Sequence, residues 1–287
     1  MSTLNVTAPA AAPATPAPAD PGIHLSFTRL VRSEWIKFTT VRSTWWSIAL
    51  VLVLSVGLSL LMAASYASFA TDNAEAGMPQ GNAVAVQVIV FSTVLTQLLA
   101  VILGSITVTG EYSTGMIRST LTAAPGRSGA VLAKALIVGV TMFVTSIIAF
   151  AIIAVVTAPI LSTNALDLSE PDTSLMPLLG AASYLALMAM MGVGIGFVIR
   201  NGPGALAIGI GLVFVAPLLV SFFPRVDNFA WIHDLASYLP SNAGQSLFLS
   251  GGMSGNALET IPAVITMIAW AAAALVGGIA VLKTRDA

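Results

Sequence analysis

The stretch WWSIALVLVLSVGLSLLMAASYASFA, residues 45–70, runs for 26 residues without a charged side chain. A helix that crosses a hydrocarbon core of about 30 Å needs about 20 such residues. The stretch therefore predicts a membrane-spanning helix. Five other long uncharged stretches meet the same requirement, and they predict spans over residues 83–109, 135–161, 174–199, 203–223 and 261–282.

The composition of the whole chain agrees with a membrane protein. Only 8% of its 287 residues are charged, whereas soluble domains carry about 25%. The mean hydropathy is +0.94, so the surplus apolar surface must face lipid. Cysteine is absent and there are only two histidines, which excludes disulfide and thiolate chemistry and predicts no metal site.

A seventh uncharged stretch, Leu235 to Leu258, differs in composition from the six spans. It contains five serines, four glycines, two asparagines and Pro240. Exposing these polar groups to lipid would leave many of them without hydrogen-bond partners. We therefore place the stretch in a long extracytoplasmic loop over 224–260, and two alternatives stay open: a plain external loop and a partly re-entrant segment.

The distribution of basic residues sets the orientation of the six spans. Placing the amino terminus in the cytoplasm leaves only Arg225 of the eleven basic residues outside. The predicted fold is thus an all-α protein of the plasma membrane with six spans and both termini cytoplasmic. Its cytoplasmic basic residues are Arg29, Arg32, Lys37, Arg42, Arg118, Arg127, Lys134, Arg200, Lys283 and Arg285.

The segment before the first span divides into a tail and an amphipathic helix. Residues 1–23 are rich in alanine and proline, which predicts a disordered tail. Residues 24–44 contain FTRLVRSEWIKF, residues 27–38, where apolar side chains recur on one face and Glu34 interrupts the stripe. We predict an interfacial helix, and the alternative is a basic flank that only fixes the topology.

The cytoplasmic loop between spans two and three, residues 110–127, mixes charged and apolar side chains. We predict one short helix in which Glu111 and Arg118, two turns apart, lie on nearly the same face. The alternative is a simple turn. In the fourth span, the alternating glycines Gly192, Gly194 and Gly196 predict close helix packing or local bending.

Several functions lack the residues they need. No predicted span carries an aspartate, glutamate, lysine, arginine or histidine near its middle, which disfavours a proton-coupled carrier. None of the three lysines follows a glycine, so the chain lacks a Walker A motif for binding ATP. We therefore predict that it is not an enzyme and that any energy for transport comes from a separate subunit. Nothing in the sequence predicts a nucleic-acid partner.

Four segments together resemble actinobacterial permease subunits of type-2 ABC transporters. They are RSEWIKFTTVRSTWW at 32–46, GEYSTGMIRSTL at 110–121, APGR at 124–127 and YLPSNAGQSLF at 238–248. Each motif is loose, but their order and spacing relative to six spans are specific. The resemblance covers nearly all of the chain beyond the tail.

The resemblance implies an exporter subunit that forms the translocation path. It would pair with a second permease copy, identical or different, and with two cytoplasmic ATPase subunits that hold ATP and magnesium; no cofactor is implied for this chain. The external helices would lie in 224–260. The implied ATPase-coupling residues are Glu111, Tyr112, Met116, Arg118 and Arg127, and the implied connecting-helix residues are Arg32, Glu34, Lys37 and Arg42.

Two other classes of function stay open at this point. One is a stand-alone carrier or channel, which would need no ATPase. The other is a membrane anchor or sensor for a cytoplasmic partner. The substrate class, whether drug, peptide, lipid or polysaccharide, is left undecided by the sequence.

Overall fold

A computed structural model describes residues 26–72, 80–123, 126–224, 226–249 and 257–284. Within these ranges the chain is helical and forms no strand. The predicted disordered tail, residues 1–23, lies outside them. The α-helices, numbered in chain order, are α1 Phe27–Thr40, α2 Arg42–Asp72, α3 Asn82–Val90, α4 Thr93–Thr114, α5 Met116–Ala123, α6 Ser128–Leu161, α7 Leu175–Ile199, α8 Gly202–Ile210, α9 Ala216–Ser221, α10 Ala230–Ser237, α11 Pro240–Gln245 and α12 Thr260–Thr284.

Six helical segments in the described ranges are long and apolar enough to cross a membrane. The predicted count of six spans is therefore confirmed, and the fold is that of a multi-pass helical membrane protein. The second span joins α3 to α4, and the fifth joins α8 to α9 through a π-helical turn at Gly211–Val215. The segments are Arg42–Phe69, Asn82–Thr114, Ser128–Asn164, Leu175–Ile199, Gly202–Ser221 and Thr260–Thr284.

The amino-terminal helix α1 forms within the range predicted for it, with one difference at its carboxyl end. The Ser26 side chain caps its first turn by accepting from the Arg29 backbone N–H, and the helix ends at Thr40, before Val41, whose backbone is extended. Arg42, assigned to this helix from the sequence, instead begins α2. The buried residues of α1 are Glu34 and Phe38, so the carboxylate lies within the buried face.

The loop between the second and third spans does not form one helix, and that prediction is wrong. Glu111 belongs to the last turn of α4, and Arg118 lies on the separate helix α5. Between them Gly115 adopts a left-handed backbone with φ of 73°, which glycine reaches without steric cost and which ends α4. Glu111 is buried whereas Arg118 is exposed, so the two side chains do not share a face.

Helix α7 lies at the centre of the bundle, packed against α4, α6 and α12. Its glycines permit these close approaches, which confirms the packing prediction. A methyl group at Gly192 would collide with the Val101 carbonyl of α4, and one at Gly194 would collide with Ala274 of α12. A buried hydrogen bond from the Tyr184 hydroxyl to the Gln97 side chain also joins α7 to α4.

Gly104 of α4 tests this packing most sharply, because a methyl group there would collide with the Ala189 carbonyl oxygen of α7. We expect Gly104→Ala to lower the free energy of unfolding by about 1–3 kcal/mol, as overpacking does in tight cores. Gly57→Ala is the matched control, since its added methyl group would meet no atom within 4 Å apart from its chain neighbours and the backbone of its own helix. Thermal unfolding in mild detergent measures both variants, and equal stability would contradict the close helix contact.

The segment after the fifth span packs into the bundle. Pro240, Ser241, Ala243 and Gly244 of α11 are buried, and a methyl group at Gly244 would collide with the Tyr184 ring. Tyr184 lies nine residues into α7, about 14 Å from its first residue. The described part of 224–260 therefore packs against α7, and the re-entrant alternative stays a prediction; residues 250–256 lie outside the described ranges.

The spans alternate in direction, which gathers the charged groups at two ends of the bundle. One end carries α1, α5 and the carboxyl ends of α4, α7 and α12, and every described lysine and arginine lies there. We call it the basic end.

At the opposite end of the bundle, hydrogen bonds join the start of α3 to the connection between α6 and α7. Asn82 bonds to Asp167 and Thr173, and the Gly81 N–H donates to Asn164.

Candidate functional site

Four charged side chains meet in a buried cluster at the basic end. The Lys134 Nζ lies 2.5 Å from Glu34 Oε2 and 2.9 Å from Glu111 Oε1. The Lys37 Nζ lies 2.8 Å from Glu34 Oε1 and 3.4 Å from Glu111 Oε1. Two carboxylates thus alternate with two ammonium groups, and we call this arrangement the charge quartet. Its formal net charge is zero.

The charge quartet joins three helices that are distant in sequence. Glu34 and Lys37 come from α1, Glu111 from α4 and Lys134 from α6. The Lys37 Nζ also donates to the Thr120 hydroxyl of α5 at 2.9 Å. The amino-terminal helix and the short helix α5 are therefore held to the second and third spans through one set of ionic contacts.

The electrostatics of the quartet follow from its burial. The side chains of Glu34 and Glu111 are each 5% exposed and that of Lys134 is 7% exposed, whereas Lys37 is 26% exposed. Burial acts to raise the pKa of Glu34, but the ion pairs with Lys134 and Lys37 outweigh burial and lower it below its ordinary value of 4.5. Glu34 is therefore a carboxylate at neutral pH.

A buried ion-pair cluster of this kind is a weak source of stability but a strict constraint on structure. Desolvation of the charges offsets much of their attraction. Removing one partner, however, leaves an uncompensated buried charge and typically costs about 3–5 kcal/mol. Any movement of α1 relative to α4 and α6 must either carry the quartet along as a unit or separate these charges.

Two arginines cap the last helix at the same end. Arg127 Nη1 donates to the Leu282 carbonyl at 2.5 Å, and Arg200 Nη2 donates to the Val281 carbonyl at 2.9 Å. These carbonyls belong to the last turn of α12, where backbone acceptors lack partners within the helix and cations are favoured. The connections before α6 and after α7 are thereby tied to the end of the sixth span.

The structure separates the sequence-predicted site residues into two groups. Glu34, Lys37 and Glu111 meet in the quartet. The Arg200 guanidinium lies 5.5 Å from the centre of the Tyr112 ring, and Arg127 contacts α12. The other predicted residues lie on the surface of the basic end and do not join the quartet; they are Arg32, Arg42, Met116 and Arg118.

Sequence reasoning missed Lys134 and Arg200 as site residues. Lys134 is 100 residues from Glu34 in the chain, so no local pattern connects them. A signal was nevertheless present, because Glu34 interrupts an apolar stripe and Lys134 is a lone charge near the start of an apolar helix. Two such charges of opposite sign at the same end of a bundle are candidates for pairing.

Comparison of the chain with protein-family models and with curated proteins gives no match. The resemblance to type-2 ABC permeases therefore rests on the four segments quoted above. Within the described ranges, no group of three or more histidine, aspartate or glutamate residues is placed to hold a metal ion. The clustered chemistry of the basic end is ionic and suited to joining helices.

Proposed function

We propose that this chain is the membrane-spanning permease subunit of an ATP-binding-cassette exporter, coupled to separate ATPase subunits. The observation that carries the proposal is the charge quartet, which links α1 and α5 to the second and third spans. A force applied to either exposed helix would reach the bundle through Lys37, Glu34, Glu111 and Lys134. The resemblance of residues 32–46 and 110–121 to permease segments supports the same assignment.

In the proposed mechanism two ATPase subunits close on ATP and magnesium and displace α1 and α5. Because the quartet resists separation, α4 and α6 follow that displacement. The packing between this chain and a second permease copy, identical or different, then changes and opens a path across the membrane. ATP favours one of two arrangements of the complex. It can shift the equilibrium between them only by as much as its binding free energy differs between the two arrangements.

The proposed orientation places the basic end in the cytoplasm and the protein in the plasma membrane. The basic residues at this end support it. So do Trp35, Trp45 and Trp46, which are exposed where α1 meets α2, as expected for aromatic side chains at a membrane interface. In this orientation α1 is an interfacial helix.

Single cysteines test the orientation without background, because the chain has no cysteine of its own. We expect cysteines at Ser68 and Thr163, exposed near the opposite end, to react in intact cells with a membrane-impermeant thiol reagent. Cysteines at Ser33 and Thr284, exposed at the basic end, should react only after the membrane is opened. Labelling of Ser33→Cys in intact cells would overturn the orientation.

Purification from native membranes tests the proposed partnership. We expect an affinity-tagged copy of this chain, extracted in mild detergent, to bring down an ATP-hydrolysing subunit identified by mass spectrometry. An unrelated six-span protein carrying the same tag is the control for non-specific capture. Recovery of the chain without any ATPase, together with transport activity of the isolated chain, would establish a stand-alone carrier instead.

A further inference from the structure

A cavity of about 230 Å³ lies beside the charge quartet, inside the elbow between α1 and α2. Its walls come from α1, α2, α4, α5 and α6. They are mainly apolar, with Phe38, Val41, Leu103, Ile106, Met116 and Val138 among the lining residues. The volume exceeds the roughly 150 Å³ of an apolar cavity that holds benzene, so a substituted ring fits.

One polar atom of this cavity has no hydrogen-bond partner in the part of the chain that the structure describes. Glu111 lines the cavity and its side chain is 5% exposed, yet Oε2 accepts no hydrogen bond from any described residue. Nearby hydroxyl groups do not serve it, because those of Ser47, Thr107 and Thr114 donate to carbonyls of their own helices. A buried acceptor without a donor is costly, and a bound donor would relieve that cost.

The charge of the quartet indicates which kind of ligand group can donate a hydrogen bond to Glu111 Oε2. The quartet contains two carboxylates and two ammonium groups, so it is already balanced. A cationic ligand would add an uncompensated buried charge, whereas a neutral hydroxyl group would supply the missing hydrogen bond without one. The apolar walls then accommodate the rest of the molecule.

We propose that this cavity is a binding site for a small neutral amphiphile of the alcohol or phenol class. Its hydroxyl group donates to Glu111 Oε2, and its apolar body contacts α1, α2, α4 and α6 together. Such a ligand bridges the elbow that joins the amino-terminal helix to the first span. Binding requires no ATPase subunit, so failure of this proposal leaves the proposed transport function untouched.

Photolabelling of the full chain in lipid nanodiscs tests the site. The probe is an alkylphenol bearing a diazirine, and its matched control is the same molecule with the hydroxyl group replaced by hydrogen. We expect saturable labelling of cavity residues such as Ile106, Met116 and Val138, located by peptide mass spectrometry. Because a hydrogen bond to a charged group is lost, the control should label these positions at least about tenfold less.

Two variants complete the test. Ser47→Leu fills the cavity from α2 without touching the quartet and should abolish labelling there. Thr107→Val keeps the shape of the side chain and should retain the labelling. Thermal unfolding without the probe establishes that each variant is folded. Equal, non-saturable labelling by both probes, spread over lipid-facing residues such as Val155, would overturn the proposal. An unlabelled cavity in a folded protein would overturn it as well, because the probe then does not bind there.

Discussion

Lys134→Met is expected to destabilise the protein by about 3–5 kcal/mol, the usual cost of removing one partner from a buried ion pair. Methionine fills a similar volume, so the loss comes mainly from charge. Without the Lys134 ammonium group, Glu34 and Glu111 share only Lys37, and one negative charge stays uncompensated in a buried site. The measurement is the thermal unfolding midpoint in mild detergent, with size-exclusion chromatography to follow aggregation.

Lys37→Met is the matched control for this prediction. Lys37 contacts the same two carboxylates, but its side chain is 26% exposed against 7% for Lys134. Water can therefore solvate the carboxylates in place of the Lys37 ammonium group. We expect Lys37→Met to lower the free energy of unfolding clearly less than Lys134→Met does. Equal and small effects of the two substitutions would show that the quartet does not hold α1 to the bundle.

Arg118→Glu is expected to reduce recovery of the ATPase subunit by at least about 30-fold while leaving the protein folded. Arg118 is exposed on α5, so reversing its charge should change stability by no more than about 0.5 kcal/mol. Truncating a charge that becomes buried at an interface typically costs about 2–5 kcal/mol, and reversal adds repulsion. Co-purification from membranes, normalised to the amount of this chain, gives the readout.

The control for Arg118 is Lys283→Glu, a charge reversal at another exposed residue of the basic end. It lies on α12 and not on α5, and it should leave ATPase recovery near the wild-type value. If Arg118→Glu recovered as much ATPase subunit as the wild type, α5 would only connect two spans and would not bind the ATPase. Glu111 cannot serve in the same test, because it is buried in the quartet and its removal would disturb the fold itself.

The six spans were predictable because each depends on a local property, a long run without charge. The same holds for Gly192 and Gly194, whose lack of a side chain already indicated close packing. The break at Gly115 was also encoded locally, since glycine just after a helix commonly takes the left-handed backbone. Treating Glu111 to Arg118 as one helix overlooked that signal.

The charge quartet could not be derived in the same way. Its members come from three helices, and Glu34 and Lys134 are separated by 100 residues. Which face each helix turns inward depends on how the helices pack, and a helix that is apolar on all sides gives little periodic signal. The sequence indicated only that Glu34 and Lys134 are isolated charges beside apolar residues, and it did not indicate that they meet.

Native mass spectrometry of the complex extracted from membranes tests the central claim most directly. The predicted result is a particle with two ATPase subunits and two permease subunits, the latter either two copies of this chain or one copy with a different permease. Loss of the ATPase subunits on Arg118→Glu should leave the permease pair behind. A single copy of this chain, free of any ATPase and active in transport, would contradict the account.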